Sequence, residues 1–105
     1  MARPPIHPGE ILRDELEELG MSAAALGREL HVPTNRITQI LNGKRALTAD
    51  TALRLGQWFG TGPELWLNLQ KQYELRLAEH EAGEVIRATV VPRAGSSDIP
   101  RSTTA

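Results

Sequence analysis

The sequence has no cysteine and no long run of apolar residues. Without cysteine the chain cannot form a disulfide, which suits a reducing compartment. Charged residues recur every few positions from Arg3 onward, so no segment has the length and hydropathy of a membrane span or a secretory signal. We therefore expect a cytoplasmic protein that does not enter a membrane.

The residue types that usually build an active site are few and scattered. His7, His31 and His80 stand alone and lack the i, i+4 spacing of a helical zinc site. No serine has a base in the context of a nucleophile elbow, and no glycine-rich phosphate loop is present. The sequence therefore predicts a protein that is not an enzyme and that uses no cofactor and no metal.

Residues 21–45 have the pattern of two short helices that meet at a tight turn. Ser22 can cap the first helix by accepting a hydrogen bond from a backbone N–H group near its start. Gly27 interrupts this helix, either as a weak position or because the two helices approach too closely for a side chain. The turn at residues 31–33 ends in Pro33, which suits the start of a new helix. This pattern is typical of a DNA-reading helix-turn-helix motif.

The second helix of this motif has an apolar side and a polar side. Ile37, Ile40 and Leu41 recur at helical spacing and form a core stripe. Asn and Gln can pair with adenine, and Thr can hydrogen-bond or contact a thymine methyl group. We therefore predict base contacts from Thr34, Asn35, Thr38 and Gln39. We predict phosphate contacts from Ser22, Arg28, Arg36, Asn42, Lys44 and Arg45. The alternative is an ordinary solvated face. Gly43 is predicted to end this helix in a left-handed conformation.

Three further helices are predicted around the motif. The first covers residues 8–19, with Pro8 at its first position and Gly20 at its end. The fourth covers residues 49–59, with Thr48 as its cap and Gly60 at its end. The fifth begins with the capping-box spacing of residues 61–64 and runs to about residue 81. Five helices joined by short loops predict an all-α fold.

These elements divide the chain into an N-terminal arm at residues 1–7, a helical domain at residues 8–81 and a C-terminal extension at residues 82–105. Within the extension, residues 85–91 are short and β-branched, and could form a strand, continue the fifth helix irregularly or stay loose. Residues 94–105 are rich in small and polar residues, which cannot repay the entropy of ordering. We therefore expect a largely disordered, flexible C-terminal tail.

The fifth helix carries apolar residues in more than one direction, and a single core cannot absorb all of them. Leu65 and Leu69 are expected to pack on the first and fourth helices. Trp66, Tyr73 and Leu77 then form a second stripe, spaced at i, i+7 and i+11, which we interpret as a homodimer interface. The alternative is that Trp66 and Tyr73 close the core of a single chain. A two-fold dimer predicts a palindromic operator in double-stranded DNA.

The net charge of −1 conceals an uneven distribution. Residues 10–18 carry five acidic residues and one arginine, a net charge of −4. Residues 22–47 carry four cations and one glutamate, a net charge of +3. A basic reading unit therefore lies beside an acidic first helix, and about four cations per subunit favour DNA binding by two subunits.

Three blocks extend the pattern beyond the motif: IHPGEILRDELEELGMS at residues 6–22, LNGKRALTADTALRL at 41–55 and FGTGPELWLNLQKQYELRLAE at 59–79. With them the chain resembles the Xre/Cro helix-turn-helix family, and more narrowly the HigA/VapI antitoxins. The resemblance implies a five-helix, lambda-repressor-like domain. It also implies an antitoxin that represses its own operon as a homodimer and neutralises a HigB-type, RelE-fold messenger-RNA endonuclease. Ala23 and His31 depart from the family pattern, replacing a common Gln and a common turn Gly.

An RNA-cleaving toxin must be basic where it holds phosphates, so the acidic first helix is a candidate surface for it. We predict toxin contacts from Asp14, Glu15 and Glu18, and the alternative is a solubilising face. Two other functions remain open. One is a stand-alone Xre-type repressor without a toxin partner, and the other is a helix-turn-helix protein-interaction module that no longer binds DNA.

Overall fold

The computed structural model describes residues 4–94 of the chain. In this range the chain forms five α-helices: α1 (Pro8–Leu19), α2 (Ala23–Leu30), α3 (Thr34–Leu41), α4 (Ala49–Phe59) and α5 (Glu64–Thr89). The predicted all-α class with five helices is confirmed, and α1 and α4 have the predicted bounds. The first three residues of the predicted arm, and residues 95–105 of the predicted tail, lie outside the described range.

The core forms where the apolar faces of the five helices meet. Its buried members are Leu12, Leu16, Leu26, Leu30, Ile37, Ile40, Leu47, Ala52, Leu55 and Trp66. Ile37 and Ile40 are completely buried and Leu41 is half-buried, so the predicted core stripe of α3 is confirmed. Burial of each large side chain contributes roughly 1.5–3 kcal/mol. Packing of α3 on α1 and α2 therefore fixes which side of α3 faces outward.

Two glycines allow the helices around the motif to approach closely. A β-carbon on Gly9 would lie 1.9 Å from the backbone oxygen of Ile40, so α1 crosses the end of α3 at a distance that only glycine permits. A β-carbon on Gly27 would lie 3.0 Å from the backbone oxygen of Val32. The close-approach interpretation of Gly27 is therefore confirmed, and this packing offsets its low helix propensity.

The turn of the motif holds His31 in a left-handed conformation, with φ of +60°. It is the only non-glycine residue with positive φ among residues 4–94. The N–H of His31 donates to the carbonyl of Arg28 (3.3 Å), and the N–H of Val32 donates to that of Gly27 (2.9 Å). This closes α2 in the way that glycine normally does. The backbone at position 31 therefore favours glycine, the residue that His31 replaces in the family pattern.

We expect His31→Gly to raise the free energy of unfolding by about 0.5–1 kcal/mol. The substitution removes about 1–2 kcal/mol of left-handed strain, part of which is offset by the greater backbone freedom of glycine in the unfolded chain. Urea unfolding followed by circular dichroism measures the change. His80→Gly, inside α5, is the matched control and should lower the free energy of unfolding. Equal losses in both variants would contradict the strain at His31.

The start of α5 differs from its prediction. The Thr61 hydroxyl donates to the carbonyl of Gly62 (3.0 Å), so it makes no cap and the helix begins at Glu64. The prediction of a capping box at residues 61–64 is therefore wrong. Thr48 does occupy the cap position of α4, but its hydroxyl lies 3.4 Å from that of Thr51 and makes no hydrogen bond to the helix backbone.

The end of α5 also differs, because the helix continues to Thr89 instead of ending near residue 81. The Arg87 guanidinium donates to the Glu79 carboxylate (2.5 Å), and this ion pair spans the predicted end. Gly83 leaves room for that carboxylate, since a β-carbon there would lie 2.5 Å from it. Residues 82–89, predicted to begin a disordered extension, are therefore helical, and the proposed domain boundary falls inside a continuous helix.

The face of α5 that packs on the domain is the one that the sequence pattern assigned to a second subunit. Trp66 is 2% exposed, so its prediction as a dimer-interface residue is wrong and the alternative, closing the core of one chain, is correct. The reason is that an indole buries a larger apolar surface than a leucine. Tyr73 is half-buried on the same face and contacts the His7 ring edge-on, with centroids 4.9 Å apart. Leu77 is half-buried, and Leu65, expected inside, is 45% exposed.

Gln70 is a buried polar residue on this packed face of α5. Its side-chain oxygen accepts a hydrogen bond from the Leu47 N–H (2.8 Å), and its amide nitrogen donates to Glu74 (2.9 Å). The bond to Leu47 ties the loop between α3 and α4 to α5, and the bond to Glu74 lies within α5. Sequence reasoning missed Gln70, because a polar residue on a helix gives no sign of burial until its distant partner is known.

Candidate nucleic-acid interface

The polar side of α3 is presented to solvent. Thr34, Asn35 and Thr38 are exposed, and Gln39 is half-buried at the edge of the same side. An exposed helix with short hydroxyl and amide side chains has the size and chemistry to enter the DNA major groove. The four predicted base-contacting residues therefore share one accessible surface.

Two of these residues already use part of their hydrogen-bonding capacity. The Thr38 hydroxyl donates to the carbonyl of Thr34 (3.1 Å), which leaves its methyl group and its oxygen lone pairs for a partner. The side-chain oxygen of Gln39 accepts from Arg45 Nε (2.8 Å), which leaves the amide N–H donors for an acceptor such as a purine N7. Gln39 and Arg45 are thereby linked, so a base contact and a phosphate contact would be made by connected side chains.

The loop after α3 projects cations beside the end of that helix. Gly43 has φ of +73°, which confirms its predicted left-handed conformation. Its N–H donates to the carbonyl of Ile40 (3.0 Å), and the N–H of Lys44 donates to that of Gln39 (2.8 Å). This pair of bonds is a Schellman motif, which fixes the direction in which the chain leaves the helix. Lys44 and Arg45 are both exposed on this loop.

Arg13 on α1 contacts the same end of α3. Its guanidinium donates to the carbonyl of Leu41 (2.9 Å) and to the side-chain oxygen of Asn42 (3.1 Å). A cation at a helix C-terminus is favourable because the last carbonyls carry partial negative charge. Arg13 therefore orients Asn42, one of the predicted phosphate ligands. No signal in the sequence connects two residues so far apart along the chain.

Arg36 is tied back to α4 through Asp50. Its guanidinium lies 2.9 Å from the Asp50 carboxylate, which also accepts from Arg54 (2.7 Å). The hydrogen bonds that Asp50 accepts lower its pKa, and the bond from Arg54 contributes more than the bond from Arg36. Arg54 donates in addition to the carbonyl of Leu30 (2.8 Å) at the end of α2. This network restricts the position of the Arg36 guanidinium but leaves some of its N–H donors free for another partner. Sequence reasoning missed the network.

The predicted phosphate ligands on α2 are accessible. The Ser22 oxygen accepts from the N–H of Ala25 (3.1 Å), which confirms the predicted cap, and its O–H proton can still donate to a phosphate. Arg28 is exposed in the last turn of α2.

The three acidic residues predicted to meet a toxin are all exposed on α1: Asp14, Glu15 and Glu18. Asp14 lines the same surface cavity as Arg13, Asn42 and Gly43. The acidic helix therefore adjoins the loop predicted to contact DNA.

Residues 4–94 contain no group of histidine and carboxylate side chains placed to hold a metal ion. In that part of the chain, no helix combines the length and hydropathy needed to cross a membrane.

Comparison with known proteins gives a consistent set of relatives. The family model HTH_3, described as helix-turn-helix, matches residues 12–66. Virulence-associated protein I of Dichelobacter nodosus is 52% identical over 79 residues, which are 74% of this chain and 73% of that protein. A HigA-family addiction module antidote protein from Coxiella burnetii aligns with a TM-score of 0.84 and 55% identity, covering 86% of this chain and 99% of that one. The Pseudomonas aeruginosa antitoxin HigA, solved with the higBA promoter, aligns with a TM-score of 0.82 and 44% identity, covering 85% and 98% of the two chains.

Proposed function

Because the chain belongs to the HTH_3 helix-turn-helix family and is a HigA-type member of it, a group of non-enzymatic DNA-binding regulators, we propose that it is the antitoxin of a type II toxin-antitoxin module. In this role it binds a palindromic operator in its own promoter as a homodimer and neutralises a HigB-like ribonuclease in the cytoplasm. One observation carries the DNA-binding part: the polar side of α3 is exposed and is followed directly by a fixed loop with Lys44 and Arg45.

The two groups of polar residues have different tasks in this proposal. Asn35 and Gln39, one turn apart on α3, read base edges in the major groove, with Thr34 and Thr38 as secondary contacts. Phosphate contacts come from the surrounding residues Ser22, Arg28, Arg36, Asn42, Lys44 and Arg45. They fix the position of α3 in the groove and carry no sequence information themselves.

We expect Gln39→Ala and Lys44→Ala to separate these tasks. Gln39→Ala should lose about 1–3 kcal/mol of discrimination at one base position in each half-site. Lys44→Ala should weaken binding to all duplexes alike and reduce the salt slope by about 1 for each cation lost. Fluorescence anisotropy, with the duplex from the promoter of its own operon and single-base variants at several salt concentrations, measures both effects.

Gln57→Ala, exposed on α4, is the control for this experiment and should bind as wild type. If Lys44→Ala changed the preferred sequence and Gln39→Ala changed only the salt slope, the two assignments would be reversed. If the wild-type chain did not prefer its own promoter over a scrambled duplex of equal length, the repressor function would be refuted.

For the homodimer we propose a stripe on the side of α5 opposite Trp66. Leu75 and Ile86 are 71% and 49% exposed, and with Ala78 and Ala82 they follow the i, i+3, i+7, i+11 spacing of one helix face. A helical extension without packing is marginal in water, so this part of α5 requires a partner. A second copy of the chain offers the same stripe, which makes a two-fold contact self-complementary.

We expect Leu75→Glu to convert the dimer into a folded monomer at micromolar concentration, because a charge would be buried in the apolar contact. Operator affinity should fall with it, since a single subunit supplies few phosphate contacts. Sedimentation velocity measures the mass and circular dichroism the helix content. Leu53→Glu, at a 60% exposed position of α4, is the matched control and should remain a dimer. A dimeric Leu75→Glu variant would place the interface elsewhere.

For the toxin we propose the acidic surface of α1, because complementary charge accelerates the encounter of two proteins. Co-expression with the product of the adjacent gene tests this in a growth assay. The neutral variant Asp14→Asn, Glu15→Gln, Glu18→Gln should associate more slowly and with a weaker salt dependence. Glu81→Gln with Glu84→Gln, on α5, is the control. If the α1 variant folds, associates at the wild-type rate and protects cells equally well, the toxin binds another surface.

A further inference from the structure

His7 lies at the junction of α1, α5 and the loop after α3. It is 7% exposed, although it precedes the first helix by one residue. Its Nδ1 accepts a hydrogen bond from the N–H of Gly9 (2.9 Å) and so caps α1. The ring of Tyr73 on α5 contacts it edge-on at 4.9 Å. On the loop, a β-carbon added to Gly43 would lie 3.9 Å from the imidazole Cγ.

The hydrogen bonds of His7 define its protonation state. A neutral imidazole has one acceptor and one donor nitrogen, and Nδ1 is the acceptor here. The proton is therefore on Nε2, and the backbone of Arg45 accepts the second hydrogen bond of the ring. Burial lowers the pKa of His7 below its ordinary value, against smaller opposing effects of the Arg45 backbone and of Glu10. The neutral ring thus connects the start of α1 directly to the loop that carries the cations.

We propose that His7 is the positioning residue of the loop at residues 43–45, holding the backbone of Arg45 so that Lys44 and Arg45 point at DNA phosphates. This inference rests on the proposed DNA contact of that loop. Three contacts support it: the cap at Gly9, the ring contact with Tyr73 and the hydrogen bond to Arg45 hold the imidazole from three sides. The Schellman motif fixes how the chain leaves α3, and His7 fixes where the chain goes next.

Charged groups surround His7 on every packed element. Glu10, Arg13 and Asp14 line the cavity beside it on α1, and the loop carries the cations Lys44 and Arg45. On α5, Tyr73 contacts the ring, and Arg76 lines the neighbouring cavity together with Tyr73. Protonation of His7 would turn Nδ1 into a donor that faces the Gly9 N–H donor, which removes the cap and releases the ring from its position.

The variant His7→Asn tests the proposal. Asn keeps an acceptor oxygen for the cap of α1, but it is too short to reach the backbone of Arg45 and has no ring for Tyr73. We expect His7→Asn to bind duplex from its own promoter and a scrambled duplex about fivefold more weakly, the effect of losing one hydrogen bond, with a reduced salt slope. His7→Ala also loses the cap. A parallel urea titration of this variant measures how far loss of the cap lowers the free energy of unfolding.

A loop variant with Lys44→Ala and Arg45→Ala separates the two proposals. In that background His7→Asn should have less than about a twofold further effect, because residues that act through one another are not additive. If the loop variant binds weakly while His7→Asn binds as wild type, the positioning role is overturned and the proposed function stands. If the loop variant itself binds as wild type, the phosphate contact of the loop fails, and the role of His7 fails with it. A full fivefold effect of His7→Asn in the loop background also overturns the positioning role.

The pH profile of operator affinity adds a second readout, because protonation of His7 releases the ring from its position and removes the cap of α1. Because burial lowers the pKa of His7 in the folded chain, its neutral, positioning form is present at pH 6.5 and above, and is lost as the pH falls through this lowered pKa. The advantage of wild type over His7→Asn in operator affinity should therefore stay constant from pH 7.5 to about 6.5 and shrink at lower pH as His7 becomes protonated, which the imidazole resonances in NMR spectra report. An advantage that survives protonation of His7 overturns the proposal.

Discussion

Gly9→Ala is expected to lower the free energy of unfolding by about 3 kcal/mol or more, a large loss for a single added methyl group. The added β-carbon would lie 1.9 Å from the backbone oxygen of Ile40, and a backbone atom has no rotamer through which to move away. α1 would have to withdraw from the end of α3, and Arg13, which donates from α1 to the carbonyl of Leu41, would withdraw with it. Urea unfolding followed by circular dichroism measures the loss.

Gly83→Ala is the matched control for this prediction. A β-carbon there would lie 2.5 Å from the Glu79 carboxylate, but a flexible side chain can rotate away, and alanine gains about 1 kcal/mol of helix propensity over glycine. Gly27→Ala, 3.0 Å from the backbone oxygen of Val32, should fall between the two. If Gly9→Ala were as stable as Gly83→Ala, α1 could shift freely and the close crossing would not constrain the fold.

The features that could be predicted from the sequence are those set by residues close together along the chain. Ser22 caps α2, Gly20 ends α1, Gly43 ends α3 in a left-handed conformation, and Ile37 and Ile40 are buried, each as the local pattern predicted. Caps and apolar stripes involve residues within one or two helical turns, so their spacing is visible in the sequence. The exposed polar side of α3 follows directly, because burial of one side leaves the other outside.

Contacts between residues far apart along the chain leave no spacing pattern in the sequence. Arg13 reaches the end of α3, Asp50 holds Arg36, and Gln70 binds the backbone of Leu47 across separations of 28, 14 and 23 residues. Each depends on how helices are placed in space, which periodicity does not encode. They matter for the interface because they decide which predicted phosphate ligands are already held, and in which direction.

The two apolar sides of α5 show the same limit in a different form. The spacing of apolar residues indicated that one core could not absorb all of them, but spacing alone does not say which residues are buried. The domain buries Trp66 and packs Leu69 against the core, whereas Leu65 and Leu75 are 45% and 71% exposed. The end of α5 was underestimated for a related reason, since Gly83 resembles a helix stop until the ion pair between Glu79 and Arg87 is seen to cross it.

Trp66→Ala is therefore expected to destabilise the fold instead of merely separating two subunits. Removing a buried aromatic ring from a core costs about 3–5 kcal/mol, which is a large part of the 5–15 kcal/mol that typically stabilises a domain. Trp66 is 2% exposed and its ring lies 5.5 Å from that of Phe59, so neighbouring side chains cannot easily fill the space. Urea unfolding at two protein concentrations, together with sedimentation velocity, distinguishes loss of the fold from loss of a dimer.

Two variants make the interpretation of Trp66→Ala specific. Trp66→Phe keeps an aromatic ring and removes Nε1, which has no hydrogen-bond partner among the described residues. Its loss of apolar contact is partly offset by removal of an unpaired buried N–H group, so we expect a change below about 1.5 kcal/mol. Leu75→Ala, on the opposite side of the same helix, should leave the monomer fold intact and weaken only the dimer. A Trp66→Ala chain that remained fully helical, with wild-type resistance to urea and the mass of a monomer, would return Trp66 to the subunit interface and place Leu75 outside it.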